Sequence, residues 1–379
     1  IEVNDALLFP DVPKRLGKPP FTMTYGDTAK IIEGIGKEAS NKFEKYINKW
    51  NYPPLIFFRK RIKDSSYYLG WVYEEKFKRK NNGFRDGVLK PSKLIKMDQK
   101  NLLVRRISTE NFSEGRLMKR TAGEDDCARR AFTIAGLGSI GSNLAFFLNS
   151  YHPKEFRLID IDFFDIENTY RHLLGVSCSG LSKTEAIKCY LIGKNPKQSI
   201  LTKNVSIIKI IENEPKFINE TDFLFVTIGN QNVEKYIGIS LASGILTTPT
   251  FIIWVEPYLV GGHCLFYPNA APCNYESLFE DIFFKFNVID KEEYLALNDN
   301  LSLREAGCQS AYVPYGGNSV MLFLSALFPK INNILKRDST KATGFTWFGD
   351  MGILEAKGIR QSAFAKEQEE FGKIIQYDI

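Results

Sequence analysis

The stretch Ala131-Phe132-Thr133-Ile134-Ala135-Gly136-Leu137-Gly138-Ser139-Ile140-Gly141 runs an apolar strand into three glycines spaced as GxGxxG. In such a turn the first glycine permits the tight bend and the second lets the backbone approach a phosphate. The third allows close packing of helix on strand. The helix N-terminus then faces the anion. The loop alone specifies a phosphate and not a reaction, and a purely structural glycine turn stays open at this point.

The polar residues behind the loop narrow the reading. Asp160 stands about 20 residues on, where a carboxylate takes a ribose hydroxyl, and Asp162 follows it. Asn168 and Arg171 lie just past the second strand, at the carboxyl end where open α/β sheets bind ligands. Lys183 follows Gly180-Leu181-Ser182 and opens a helix, a place that the macrodipole makes unfavourable for a cation. An ATP triphosphate would give it a reason to be there, with arginine clamping phosphate oxygens and lysine acting as a point charge. The competing reading makes Arg171 and Lys183 plain surface charges. A nicotinamide oxidoreductase accounts for Asp160 but leaves Asn168, Arg171 and Lys183 unexplained.

Around this site the chain reads as α/β. From Arg130 onward, strands are expected at Ala131–Gly136, Phe156–Asp162, Val205–Ile211, Asp222–Ile228 and Thr250–Val255, and helices at Ile140–Ser150, Lys183–Gly193 and Val233–Ser243. A loop-rich insert, about residues 268–309, precedes an apolar helix near Ser319–Leu335. Residues 1–118 differ: a helix near Ile31–Trp50, short strands at Pro54–Phe58 and Tyr67–Tyr73, and a turn at Asn81-Asn82-Gly83 indicate a smaller α+β domain. The expected division is therefore 1–118 and 119–379. The first residue is Ile1 and not Met, which leaves open that the chain is a fragment with a further domain upstream.

Composition sets the class. Charged residues make up 25% and hydrophobic ones 44%, with a net charge of +6, as in an ordinary globular protein. The basic groups Arg59, Lys60, Arg61, Lys63 and Lys76, Lys78, Arg79, Lys80 come without an aromatic platform, so they read as a solvated hairpin surface rather than a specific nucleic-acid site. The six cysteines, at 127, 178, 189, 264, 273 and 308, show neither CxxC nor framework spacing. That argues for a reducing cytoplasm and against disulfides. No apolar run is long enough to span a bilayer.

Together, Gly136-x-Gly138-x-x-Gly141, Asp160-x-Asp162, Glu167-Asn168-x-x-Arg171 and Gly180-x-x-Lys183 resemble the ThiF-type fold of ubiquitin-activating and sulfur-carrier-adenylating enzymes over roughly residues 130–260. The resemblance implies ATP-dependent adenylation of a protein C-terminal carboxylate, with Mg²⁺, in a homodimer. It implies that Asp160 holds the ribose, that Asn168, Arg171 and Lys183 contact phosphates, and that Gly138 to Gly141 wrap the nucleotide. One position departs: the next strand ends Thr227-Ile228-Gly229-Asn230, with Gly229 where the family usually has a magnesium-binding Asp. Asp162 or another carboxylate is the expected substitute, or else metal binding is weakened.

Ubiquitin-activating relatives pass the acyl group to a cysteine as a thioester, a thiolate displacing AMP. Cys127, Cys178, Cys189 and Cys264 fall before or within expected core elements. Cys308, beside Gly307 after a long polar segment, is the expected nucleophile, with Cys273 as second candidate. The looser set Ile253–Pro257, Gly261-Gly262-His263, Gly307-Cys308 and Pro314-Tyr315 resembles bacterial proteins of CBASS antiphage islands that fuse a ubiquitin-conjugating-like domain to an activating-like one. Leu69-Gly70-Trp71 and Arg116 are similar to the linker domain of such fusions. This implies a conjugating-type partner domain and, as substrate, the C-terminus of a cGAS-like nucleotidyltransferase. His263 either orients a substrate carboxylate or satisfies backbone within a strand. The rival readings are a thiamine- or molybdopterin-type sulfur-carrier adenylyltransferase and an inactive nucleotide-binding scaffold.

Overall fold

The computed structural model describes residues 7–9, 23–49, 54–62, 65–73, 90–97, 100–110, 129–269, 273–296, 301–302, 313–337, 339–368 and 370–379. The chain divides into two compact units, Ile1–Thr121 and Ala122–Ile379.

In the first unit four strands, β1 (Leu7–Phe9), β2 (Leu55–Ile62), β3 (Ser65–Val72) and β4 (Arg105–Ile107), form one sheet in that order. β1 runs parallel to β2 and the other pairs are antiparallel. The residues expected to make one helix make two, Tyr25–Ile35 and Lys37–Asn48, because Gly36 takes φ +141°, a conformation closed to most L residues. Thr24 and Asp27 start the first helix with a reciprocal capping box. Ile32, Phe43, Ile47, Ile56, Phe58 and Trp71 fill the core between helices and sheet. The Asn81-Asn82-Gly83 turn, Arg116 and the basic residues 76–80 lie outside the described residues.

The second unit is built on eight strands: β5 (Ala131–Ala135), β6 (Glu155–Ile159), β7 (Ser199–Lys203), β8 (Phe223–Val226), β9 (Thr250–Val255), β10 (Gly261–Tyr267), and after a small hairpin β11 (Phe279–Glu280) and β12 (Phe283–Phe284), β13 (Thr343–Phe348) and β14 (Ile374–Asp378). Their order is β14-β13-β10-β9-β8-β5-β6-β7. β7, β6, β5, β8 and β9 are parallel, and β10, β13 and β14 extend the sheet antiparallel. The chain moves outward from β5 through β6 to β7, then returns to β8 on the other side of β5. That reversal opens a crevice at the carboxyl ends of β5 and β8.

Both faces of the parallel strands are buried, which is why they read as unbroken apolar runs. On one face Phe132, Ile134, Phe225, Phe251 and Ile253 pack with Leu144, Leu148, Ile187 and the helix Gly317–Arg337. On the other, Leu224, Val226 and Ile252 pack with Ile207, Ile210, Ile211 and Ile237. Each such side chain contributes about 1.5–3 kcal/mol of burial free energy.

One expected strand is a helix. Val205–Ile211 is not a strand: Ser206 caps a helix, Ile207–Asn213, accepting from the Ile208 N–H at 3.3 Å. Ile207, Ile210 and Ile211 then fall on one buried helical face, so the β-branched run follows the helical period. The strand beside β6 is instead β7. The antiparallel wing of β10, β13 and β14 was not expected. Within the insert, the described residues hold the β11–β12 hairpin and the helix Lys291–Leu295.

Candidate active site

The glycine loop occupies the crevice. Gly136 has φ +88°, and a Cβ there would come within 2.8 Å of the Thr227 carbonyl oxygen at the end of β8. A Cβ on Gly141 would meet the Gly136 carbonyl oxygen at 1.9 Å, so the third glycine is what lets the helix Ser139–Asn149 sit against the strand. Gly138 is different: nothing stands within 4 Å of the place a Cβ would take. It is also the helix N-cap, and its own residue supplies no side-chain cap. The open backbone and first-turn N–H groups suit an incoming phosphate.

One hydrogen-bonded network joins the loop to the residues after β6. Asp160 accepts the Leu137 N–H through one carboxylate oxygen and the Asp162 N–H, at 2.8 Å, through the other. Each oxygen keeps a lone pair for a further donor. Burial pushes the Asp160 carboxyl up from its ordinary value, opposed by these two amides and by Lys183. The Lys183 ammonium donates to Asp162 Oδ2 at 2.8 Å; the lysine side chain is only 10% exposed, whereas that of Asp162 is 58% exposed. The anion that excuses a lysine at this helix start is thus, here, Asp162.

Asn168 closes the short 3-10 turn Ile166–Asn168, its carboxamide oxygen accepting from the Asp165 N–H at 3.3 Å. Arg171 donates through Nη1 to the Val313 carbonyl at 3.3 Å, and its guanidinium lies 5.4 Å from the centre of the Tyr315 ring. Its backbone carbonyl accepts from Asn143 on the loop helix at 3.4 Å.

His172 was not singled out from sequence, yet it locks this arrangement. Its Nδ1 accepts from the Leu174 N–H at 3.1 Å, which fixes Nε2 as the protonated nitrogen donating to the Leu137 carbonyl at 2.7 Å. Burial pushes its pKa down to about 4, so the ring is neutral at pH 7. Phe164 meets it edge-on at 4.9 Å. Its partner lies 35 residues away in sequence and is backbone, so no side-chain pattern advertises it.

Gly229 takes φ +67° with open space beside it. The adjacent buried carboxylate is Glu234, which accepts from the Tyr275 hydroxyl at 3.1 Å and is pushed up to about 7 by burial, against the amides of Gly229 and Asn230. Among the described residues no group of three or more His, Cys, Asp or Glu side chains is placed to hold a metal. A magnesium ion arriving on phosphate oxygens needs only one or two carboxylates. The solvent-open Asp162 is the carboxylate of this network able to serve.

Cys308 and Cys127 lie outside the described residues. Cys273 is half-buried, and burial pushes its thiol up, which weakens it as a nucleophile. Cys264 is buried, as expected for a core position, but Cys189 is exposed on the outer face of the helix Lys183–Lys194. His263 is fully buried between the Glu256 carboxylate at 2.8 Å and the Thr346 hydroxyl at 3.1 Å. Its two ring nitrogens are both taken by side chains, so the expected bond to backbone is replaced by Glu256 and Thr346.

Residues 116–281 match the ThiF family. No curated protein matches the sequence. Among solved structures, E. coli MccB with succinimide shares 15% identity over 67% of this chain and 65% of that one, with a TM-score of 0.44. E. coli MccB with ATP gives 16%, 67%, 65% and 0.43. PaaA gives 12% identity over 67% of this chain and 84% of its own, at 0.48. The chain therefore spans just under two thirds of the length of these MccB structures. The likeness to the ThiF family lies in residues 116–281. Its matched region ends inside the insert, before Cys308 and the helix Gly317–Arg337.

Proposed function

We propose that this chain adenylates a carboxylate with ATP. The observation that carries the reading is the network Leu137–Asp160–Asp162–Lys183, laid under the uncapped Gly138 backbone inside a ThiF domain. The triphosphate lies on the loop amides, and the ribose takes the remaining lone pairs of Asp160. Lys183 and Arg171 face the phosphate oxygens, and Asn168 contributes from the turn between them. A substrate carboxylate oxygen attacks the α-phosphorus; the bond to the bridging oxygen breaks, and pyrophosphate leaves with that electron pair. Positioning and neutralisation of developing charge supply the catalysis. Mg²⁺, with Asp162 as its carboxylate, would neutralise further phosphate charge.

The substrate in this reading is a protein C-terminus. Cys308 then takes the acyl group as a thioester, displacing AMP, and passes it to a conjugating-type cysteine. Support for these later steps is the resemblance to CBASS fusion proteins, and with it comes a cGAS-like nucleotidyltransferase as substrate; the cysteine pattern favours a cytoplasmic setting and the ThiF-type resemblance a homodimer. A sulfur-carrier adenylyltransferase shares the first step and dispenses with the conjugating partner. Gly229 favours the inactive scaffold, since it removes a carboxylate at the crevice.

Pyrophosphate exchange with candidate C-terminal peptides and Mg²⁺ tests the reading. Arg171→Ala and Lys183→Ala are expected to abolish exchange, while Cys308→Ala keeps exchange and loses thioester. Absence of exchange in the wild type supports the scaffold instead. Thioester surviving in Cys308→Ala moves the nucleophile to another cysteine.

A further inference from the structure

Tyr315 belongs to neither the glycine loop nor the motifs after β6, and it follows the insert by several residues. Its hydroxyl nevertheless hydrogen-bonds Ser139, the first residue of the loop helix, at 2.7 Å across 176 positions. Its ring lies 5.4 Å from the Arg171 guanidinium, and the carbonyl of Val313, two residues before it, accepts from Arg171 Nη1 at 3.3 Å. The segment is held independently on both sides. The Pro314 carbonyl accepts from the Tyr258 N–H at 2.6 Å, and Gly317 packs so close to Tyr170 that a Cβ would come within 2.7 Å of its carbonyl oxygen.

An arginine side chain has many rotamers, and a phosphate clamp gains from having few. An aromatic face beneath the guanidinium restricts it to one plane and leaves its edge N–H groups free to turn. Among the described residues, a phosphate at the loop would compete with the Val313 carbonyl for Nη1. The ring would stay in place. From this geometry we infer that Tyr315 is a positioning residue for nucleotide binding: its ring sets the plane of the Arg171 guanidinium, and its hydroxyl ties that plane to the glycine loop. The inference rests on the ATP reading above and adds a residue beyond the matched ThiF region to its site.

The experiment is the dissociation constant for Mg·ATP by titration calorimetry. It uses the wild type, Tyr315→Leu, Tyr315→Gln and Tyr315→Phe, each repeated with Arg171→Ala. The two ringless variants are expected to bind about tenfold more weakly and Tyr315→Phe no more than about threefold. On the Arg171→Ala background the ringless changes should cost less than about twofold, because the group they orient is gone. Ringless variants that bind like the wild type overturn the inference, as does an equal loss with and without Arg171. A wild type that binds no ATP fails the adenylation reading itself, which is a different result.

Discussion

His172 shows how one neutral ring can decide the shape of a glycine loop. Its Nε2–H holds the Leu137 carbonyl and its Nδ1 accepts from Leu174, so protonation of Nδ1 would set two donors face to face. The folded pKa is about 4, against 6.5 in the unfolded chain. The stabilising neutral form is thus fully present above pH 6.5, and its contribution is lost as the pH falls toward 4. A shift of this size corresponds to about 3 kcal/mol. Urea unfolding between pH 7 and 4 should show this acid-side loss in the wild type. His172→Gln, which keeps an N–H for Leu137 without a titrating nitrogen, should lose about 3 kcal/mol less over the same range.

At the scale of elements, one buried carboxylate gathers donors from both the sheet and the insert. Glu256, at the end of β9, accepts from His263 at 2.8 Å, from the Val288 and Ile289 N–H groups at 2.6 and 2.9 Å, and from the Tyr294 hydroxyl at 3.1 Å. Replacing it leaves several buried donors without a partner, at a cost of about 3–5 kcal/mol. In Glu256→Ala, hydrogen exchange should therefore accelerate across residues 284–294 while β5 to β7 keep their protection. Unchanged protection at Val288 and Ile289 would place the fastening elsewhere. Elements held by local pattern were legible in the sequence: Thr250–Val255 and the loop helix stand where expected, since buried parallel strands and a GxGxxG turn carry their signal in adjacent residues. Ile207–Asn213 was not, because a run of isoleucines satisfies strand propensity until Ser206 caps it. Glu256, His172 and Tyr315 act on partners distant in sequence, and distance of that kind leaves no local trace.

For the whole molecule, the surface beside the candidate site is notable for what it leaves uncovered. Ile161, Phe163, Ile166, Tyr170, Val176 and Leu181 are all exposed within 21 residues that also contain Asp162, Asn168 and Arg171, and Tyr170 reaches 95%. Exposed apolar residues this closely spaced along the chain suit a contact surface. The proposed homodimer would use this one, so sedimentation should give a dimer at micromolar concentration for the wild type and a monomer for Phe163→Asp. A monomeric wild type removes the homodimer from the proposal. Among the described residues no helix is long and apolar enough to cross a membrane.

The Leu137 peptide bears on all three scales. Its N–H is held by Asp160 and the histidine at 172 holds the carbonyl of the same residue, so the two peptide planes flanking Leu137 are pinned from opposite sides. Neither plane can flip without breaking a hydrogen bond. A nucleotide would therefore meet a template already set, and its affinity would owe little to ordering the loop after contact. Variation between substrates would then come from the groups around that template, leaving the cradle itself the same for each.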